Sequence, residues 1–167
     1  MKTLLIARHG KSSWVTSDIK DIDRSLDISG IEGAYQVSDS LLRAETKLDL
    51  LISSPATRAI HTALIHSRTL GFPEEQIRIF SSLYYKGHKN VLDLVSNKDS
   101  AHSTIMVCGH NPTSTELANL FLPIPINNLQ TSGVVSLSFH IETWDEIKKS
   151  SPIKATYFKR KEKQELI

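Results

Sequence analysis

Two histidines and two arginines of this chain lie in polar segments that follow apolar runs. Arg8 and His9 come after the first apolar run, Arg58 lies just beyond the second, and His110 follows a later one. Guanidinium groups donate forked hydrogen bonds to phosphate oxygens, and imidazole serves as a nucleophile or base near neutral pH. Together these residue types indicate an anion site, and phosphate is the natural candidate.

Each of these residues also has an ordinary structural explanation. A histidine after a strand is often incidental, an arginine early in a helix is usually solvated, and His110 after Gly109 suits a polar cap. The interpretation as an anion site therefore depends on whether the fold brings the four side chains together.

The apolar runs are predicted to be buried parallel strands. They cover residues 3–7, 48–52 and 104–108, and continuous apolar runs suit strands that are covered on both faces. Because the carboxyl ends of parallel strands meet at one edge of a sheet, the segments that follow them should converge there.

Helical stretches alternate with these strands, and two later strands are predicted to form a hairpin. Strict alternation over 135–141 predicts a strand with one polar face, and 155–158 is its expected partner. The chain is therefore predicted to be α/β, a three-layer sandwich with a mostly parallel mixed sheet and helices on both faces. Helices are expected over about 30–44, 55–70 (after Ser54 as N-cap), 90–97 and 112–121, with a short strand at 77–80.

The composition is that of a globular protein, and we expect residues 1–167 to form a single domain. A net charge of only +2 gives no reason to expect a nucleic-acid or membrane partner. The sequence has no apolar stretch of membrane-spanning length and no signal-peptide pattern, so a cytoplasmic location is expected. The basic tail around 159–163 is interpreted as a solvated end, and the oligomeric state is left open.

Cys108 is the only cysteine, which excludes an internal disulfide. A cysteine phosphatase needs an arginine in the loop after the thiol, and residues 111–115 contain none, so Cys108 is interpreted as a buried strand residue. No cluster has convincing metal-ligand spacing, so no metal and no cofactor are predicted. The remaining histidines are expected at the surface: His61, His66, His88, His102 and His140.

Three segments resemble the motifs of the histidine phosphatase superfamily, which includes the cofactor-dependent phosphoglycerate mutases. Arg8-His9-Gly10 resembles its Arg-His-Gly signature, residues 53–59 its second arginine motif, and residues 107–112 the motif of its second histidine. The segment 21–26 and the compact length are similar to the SixA-type phosphohistidine phosphatase branch.

The resemblance implies that His9 is the nucleophile and forms a transient phosphohistidine, which water then hydrolyses. It implies further that Arg8, Arg58 and His110 bind and stabilise the phosphoryl oxygens. Gly10, which allows close backbone approach, and Asn111 complete the expected substrate-binding set. The expected partner is a phosphorylated protein or a small phosphorylated molecule, and no metal is required.

One departure from the family bears on the substrate. Many members carry a carboxylate after the second arginine motif that protonates the leaving group, but residues 82–88 contain no Asp or Glu. Tyr84, Tyr85 and His88 remain as candidate donors. Because an alkoxide leaves poorly without a proton, the pattern favours a phosphorus–nitrogen substrate, above all phosphohistidine in a protein.

Two other functions remain open at this stage. The first is a phosphatase or mutase for small metabolites such as sugar phosphates, for which Lys11, Lys86 and Lys89 are available contacts, although the chain is short where such relatives carry insertions. The second is a non-catalytic phosphate-binding module. Loss of one of the four site residues would favour this module, yet all four are present.

Overall fold

The computed structural model describes residues 1–13 and 18–167, whose strands form one mixed sheet. The strands are β1 (Lys2–Arg8), β2 (Leu50–Ser53), β3 (Arg78–Ile79), β4 (Thr104–Gly109), β5 (Val134–Phe139), β6 (Lys154–Lys159) and β7 (Glu162–Glu165). The helices are α1 (Ile28–Arg43), α2 (Thr57–Leu70), α3 (Ser82–Tyr85), α4 (His88–Ser96) and α5 (Thr113–Asn119).

The seven strands lie in the order β3-β2-β4-β1-β5-β6-β7. The pairs among β3, β2, β4 and β1 are parallel, whereas β1–β5, β5–β6 and β6–β7 are antiparallel. The predicted α/β class with a mixed sheet is confirmed. Because β5, β6 and β7 all pair antiparallel, three of the six strand pairs are antiparallel, and the sheet is less parallel than the sequence pattern predicted.

Alternate residues of each strand feed two separate cores, one on each face of the sheet. Leu4 of β1 packs with residues of α4 and α5, whereas Leu5 packs with residues of α1 and α2. Burial on both faces explains why the central strands read as continuous apolar runs. Among the described residues, no helix is long and apolar enough to cross a membrane.

One histidine prediction was wrong: His66 is fully buried between α1 and α2, where its Nδ1 lies 2.7 Å from Ser38 Oγ. The basic tail is exposed at Arg160, Lys161 and Lys163, as predicted. It is also ordered, because the chain turns at Lys161, which has a φ of 65°, and continues as β7. His61 and His140 are exposed as expected.

The start of α2 also differs from its prediction. The helix begins at Thr57 with Ala56 as N-cap, rather than at Pro55 with Ser54 as N-cap. The Ser54 side chain accepts a hydrogen bond from the Ala56 N–H (3.3 Å) but also contacts His110, as described below. Gly71 ends the helix in the left-handed conformation.

The loop after β1 packs against the first turn of α1 through two glycines. A Cβ on Gly30 would lie 2.1 Å from the Lys11 carbonyl oxygen, and a Cβ on Gly10 would lie 2.7 Å from the Gly30 carbonyl oxygen. The Gly10 N–H donates to Thr62 Oγ1 on α2 (2.9 Å). The backbone that follows His9 is therefore held by close contacts that leave no room for a side chain at Gly10 or Gly30.

We predict that Gly30→Ala destabilises the protein by about 2–4 kcal/mol, because its Cβ would collide with backbone atoms. Replacing a helical glycine by alanine otherwise stabilises a protein by about 1 kcal/mol, so a loss of stability in Gly30→Ala would indicate the collision. Gly87→Ala is the matched control, because a Cβ there meets no atom within 4 Å. Chemical denaturation measures both, and equal stability of the two variants would contradict the close-packing argument.

Candidate active site

The sheet places the residues that follow β1 and β4 side by side. Arg8 at the end of β1 pairs in register with Gly109 at the end of β4, and the His9 N–H donates to the Gly109 carbonyl (3.0 Å). The rings of His9 and His110 consequently lie 4.9 Å apart, centroid to centroid. Arg58, in the first turn of α2, reaches the same point and donates from Nε to His9 Nε2 (3.3 Å).

The hydrogen bonds of His9 define which of its two ring nitrogens carries the proton. Nδ1 lies 2.7 Å from the Gly10 carbonyl oxygen, an acceptor, so Nδ1 carries the proton and Nε2 presents its lone pair toward Arg58. Burial, opposed by the hydrogen bond to Gly10 and aided by the charges of Arg58, Arg8 and Arg24, lowers the pKa of His9 to about 4. His9 is thus a neutral imidazole at neutral pH.

His110 is held by Ser54 from the neighbouring strand. Its Nε2 lies 2.8 Å from Ser54 Oγ, while its Nδ1 is buried with no hydrogen-bond partner in the described part of the chain. Burial, with the neighbouring His9 and Arg58, lowers the pKa of His110 to about 3. The positive charge of the site therefore comes from the guanidinium groups and not from the imidazoles.

Arg8 and Asn111 both bind the loop that precedes β5. Arg8 Nη1 donates to the Leu129 carbonyl (2.7 Å) and more weakly to Asn128 Oδ1 (3.4 Å). Asn111 Nδ2 donates to the same two oxygens, and its Oδ1 accepts from Thr115. The Asn111 side chain is thus occupied by contacts within the protein, and these contacts stabilise the loop.

A carboxylate that the sequence argument did not place at the site lies against Arg58. Asp21, on a 3₁₀ turn (Asp21–Asp23), accepts from Arg58 Nη2 (2.9 Å) and Tyr84 OH (2.8 Å) at Oδ2, and from Arg24 Nη1 (2.8 Å) at Oδ1. Its backbone carbonyl accepts from Arg58 Nη1. The only sequence signal was the resemblance of the segment 21–26 to one branch of a family, which carried no role.

Asp21 does not serve as an acid at neutral pH. Burial raises its pKa, but hydrogen bonds from Tyr84, Arg24 and Arg58 outweigh this effect and hold the pKa well below the usual range. Of the candidate donors in 82–88, Tyr84 packs its ring edge-on to His110 at 5.6 Å, and the hydrogen bond to Asp21 raises its pKa. Tyr85 is 69% exposed, and His88 pairs with Glu116 (2.8 Å).

The thiol and metal alternatives find no support at this edge of the sheet. Cys108 is fully buried, and burial raises the pKa of its thiol to about 12. Within residues 1–13 and 18–167, no three His, Cys, Asp or Glu side chains are grouped so as to hold a metal ion. The arrangement instead combines an unprotonated imidazole nitrogen with guanidinium donors, which suits attack on an electrophile that carries anionic oxygens.

The sequence matches one family model and one curated protein as follows. The model for the histidine phosphatase superfamily (branch 1) matches residues 4–84. An uncharacterized chloroplastic protein of Arabidopsis thaliana is 28% identical over 155 residues, which are 87% of this chain and 70% of that protein.

Solved structures with the same fold include two SixA proteins. The Agrobacterium tumefaciens protein assigned as phosphohistidine phosphatase SixA has 25% identity and a TM-score of 0.73, over 81% of this chain and 90% of that one. A tungstate complex of the protein histidine phosphatase SixA has 19% identity and a TM-score of 0.69, over 81% and 87%. A mycobacterial glucosyl-3-phosphoglycerate phosphatase has 14% identity and a TM-score of 0.62, over 90% and 95%.

We predict that His9 titrates near pH 4 rather than near the usual value of about 6.5. Since burial opposes the charged form, the ring stays neutral from pH 5 upward and takes a proton only as the pH falls through about 4. Long-range proton–nitrogen NMR spectra, assigned with His9→Gln, report both the midpoint and the tautomer. A midpoint near 6.5 would contradict the effect of burial on the pKa of His9. A proton on Nε2 would contradict the assignment of Nε2 as the unprotonated nitrogen.

Proposed function

Because the chain belongs to the histidine phosphatase superfamily, we propose that it removes phosphoryl groups through a phosphohistidine intermediate on His9. The observation that carries this proposal is the state of His9: Nδ1–H is bonded to the Gly10 carbonyl, and the unprotonated Nε2 lies 3.3 Å from Arg58 Nε. A nucleophile in this state needs no separate base to remove a proton before it attacks.

In the first step, the Nε2 lone pair attacks phosphorus, and the bond to the leaving group breaks with its electron pair. His9 becomes a phosphorylated imidazolium whose Nδ1–H stays bonded to the Gly10 carbonyl, which stabilises the new positive charge. In the second step, a water oxygen attacks phosphorus, the P–Nε2 bond breaks, and its electron pair returns to the ring. The proton released by water leaves with phosphate or solvent.

Arg8, Arg58 and His110 stabilise the phosphoryl oxygens in both steps. Arg58 Nε–H donates to His9 Nε2 itself, and it can donate to a phosphoryl oxygen instead once the Nε2 lone pair attacks phosphorus. The unpartnered Nδ1 of His110 and the remaining N–H groups of Arg8 are the other donors available beside His9. These guanidinium charges do the work that a metal ion does in other phosphatases, so we propose turnover without a divalent ion.

Phosphohistidine in a protein is the proposed substrate, because none of the described residues beside His9 is suited to protonate an alkoxide. Asp21 is ionised, and the pKa of Tyr84 is raised above its usual range, which makes it a weaker acid. A phosphorylated imidazole that carries a proton on its other nitrogen departs as a neutral ring and requires no donor. The SixA assignment of the Agrobacterium tumefaciens relative supports this choice.

A second candidate is hydrolysis of a small phosphorylated metabolite. It is favoured by the fold shared with the mycobacterial glucosyl-3-phosphoglycerate phosphatase and by exposed lysines, Lys11, Lys86 and Lys89, available to a second anionic group. The two candidates differ in leaving group, and a substrate panel separates them.

We predict turnover of phosphohistidine, free or in a protein, and of an aryl phosphate at least about a hundredfold faster than phosphoserine peptide or sugar phosphates. The assay measures phosphate release without added metal and again with a chelator, which should change nothing. Acid-labile phosphate trapped on the protein during turnover should map to His9.

His9→Ala should abolish release from every substrate, whereas His61→Ala, which removes an exposed histidine of α2, should leave it unchanged. Rapid hydrolysis of phosphoserine or a sugar phosphate would favour the second candidate. Absence of turnover on the whole panel, or undiminished activity of His9→Ala, would refute the proposed mechanism.

A further inference from the structure

The Asp21 side chain accepts hydrogen bonds from Arg58, Arg24 and Tyr84, and the mechanism above gives it no role. Asp21 binds Arg58 twice, once through Oδ2 and once through its backbone carbonyl. We propose that Asp21 is a positioning residue that holds Arg58 in the orientation required for phosphoryl transfer. This inference rests on the proposed function, because it assigns a step to Asp21 within that reaction.

The geometry of the guanidinium group supports positioning. Arg58 carries one N–H on Nε and two on each terminal nitrogen, in a rigid plane with two forked edges. Asp21 occupies the edge formed by Nη1 and Nη2, and Nε–H points toward His9 Nε2. Once His9 Nε2 bonds to phosphorus it no longer accepts from Nε–H, so the edge formed by Nε and Nη2 becomes available to the phosphoryl group while Asp21 stays in place.

The carboxylate is itself fixed from the other side. Arg24 donates from Nη1 to Oδ1 of Asp21 and from Nη2 to Ser12 Oγ (2.7 Å), and only 8% of Arg24 is exposed. Tyr84 OH donates to the same Oδ2 that accepts from Arg58. A carboxylate held by three donors cannot rotate away, so it transmits a fixed orientation to Arg58.

Positioning and competition predict different kinetics. If Asp21 competed with phosphate for Arg58, its removal would strengthen the binding of substrate and product and leave the chemical step intact. If it positions Arg58, its removal slows the chemical step, because a mobile guanidinium is less well aligned in the transition state. The loss of one negative charge at the site should still favour anion binding.

The test is Asp21→Asn, which keeps the shape and removes the charge, with Asp23→Asn as the matched control. Asp23 lies on the same 3₁₀ turn and is exposed. We expect kcat on phosphohistidine to fall about tenfold or more in Asp21→Asn, while the inhibition constant of inorganic phosphate stays equal or falls several-fold. Asp23→Asn should match the wild type in both measurements.

Tyr84→Phe gives a second, milder test, because it removes one donor to Asp21 and leaves the carboxylate present. Tyr84→Phe should lower kcat by a few-fold. If melting curves show that Asp21→Asn is unfolded, Tyr84→Phe is the variant that tests the proposal. An unchanged kcat in folded Asp21→Asn would overturn the proposal, and so would an inhibition constant that rises by the same factor as kcat falls.

A readout without turnover separates this inference from the proposed function. The Nε–H signal of Arg58 should be sharp and protected from exchange in the wild type, and broadened in Asp21→Asn but not in Asp23→Asn. If the wild type hydrolyses nothing yet shows this pattern, the proposed function fails and the orienting contact stands. If turnover is present and the Arg58 signal is identical in all three proteins, the positioning role fails alone.

Discussion

The parallel pairing of β1 with β4 is the constraint on which the rest of the site depends. Its register sets Arg8 opposite Gly109, so the two residues that leave the sheet next, His9 and His110, emerge as neighbours. The pairing of β2 with the other side of β4 delivers Ser54 to His110 in the same way. A slip of one residue in either pairing would turn these side chains to opposite faces and separate the rings.

Burial also determines the properties of the site, because it decides which of its side chains are charged. Imidazoles near neutral pH lose their charge readily when removed from water, whereas guanidinium groups retain theirs. The site thus holds neutral His9 and His110 among charged arginines, and Asp21 offsets part of that charge next to Arg58. A nucleophilic lone pair and a field that attracts anions coexist within a few ångströms because these residue types respond differently to the same dehydration.

The sequence predicted those parts of the fold that depend on apolar patterning. β1, β2 and β4 read as continuous apolar runs, and their common edge followed from parallel packing. Asp21 escaped prediction because it lies on a short 3₁₀ turn without periodicity, and only the fold reveals its contact with Arg58, 37 residues away. The polar residues of β7 gave no strand signal either, since that strand is specified by pairing with β6.

Cys108 illustrates how burial also limits the chemistry of this edge. With a pKa of about 12, its thiol supplies on the order of one thiolate in 10⁵ molecules at neutral pH, and no solvent reaches it. Peroxide and other thiol oxidants act on exposed thiolates, so they have no target here. Phosphatases that use a cysteine nucleophile can be inactivated by oxidation, whereas the mechanism proposed for His9 involves no sulfur, and the single thiol of the chain is buried in the core.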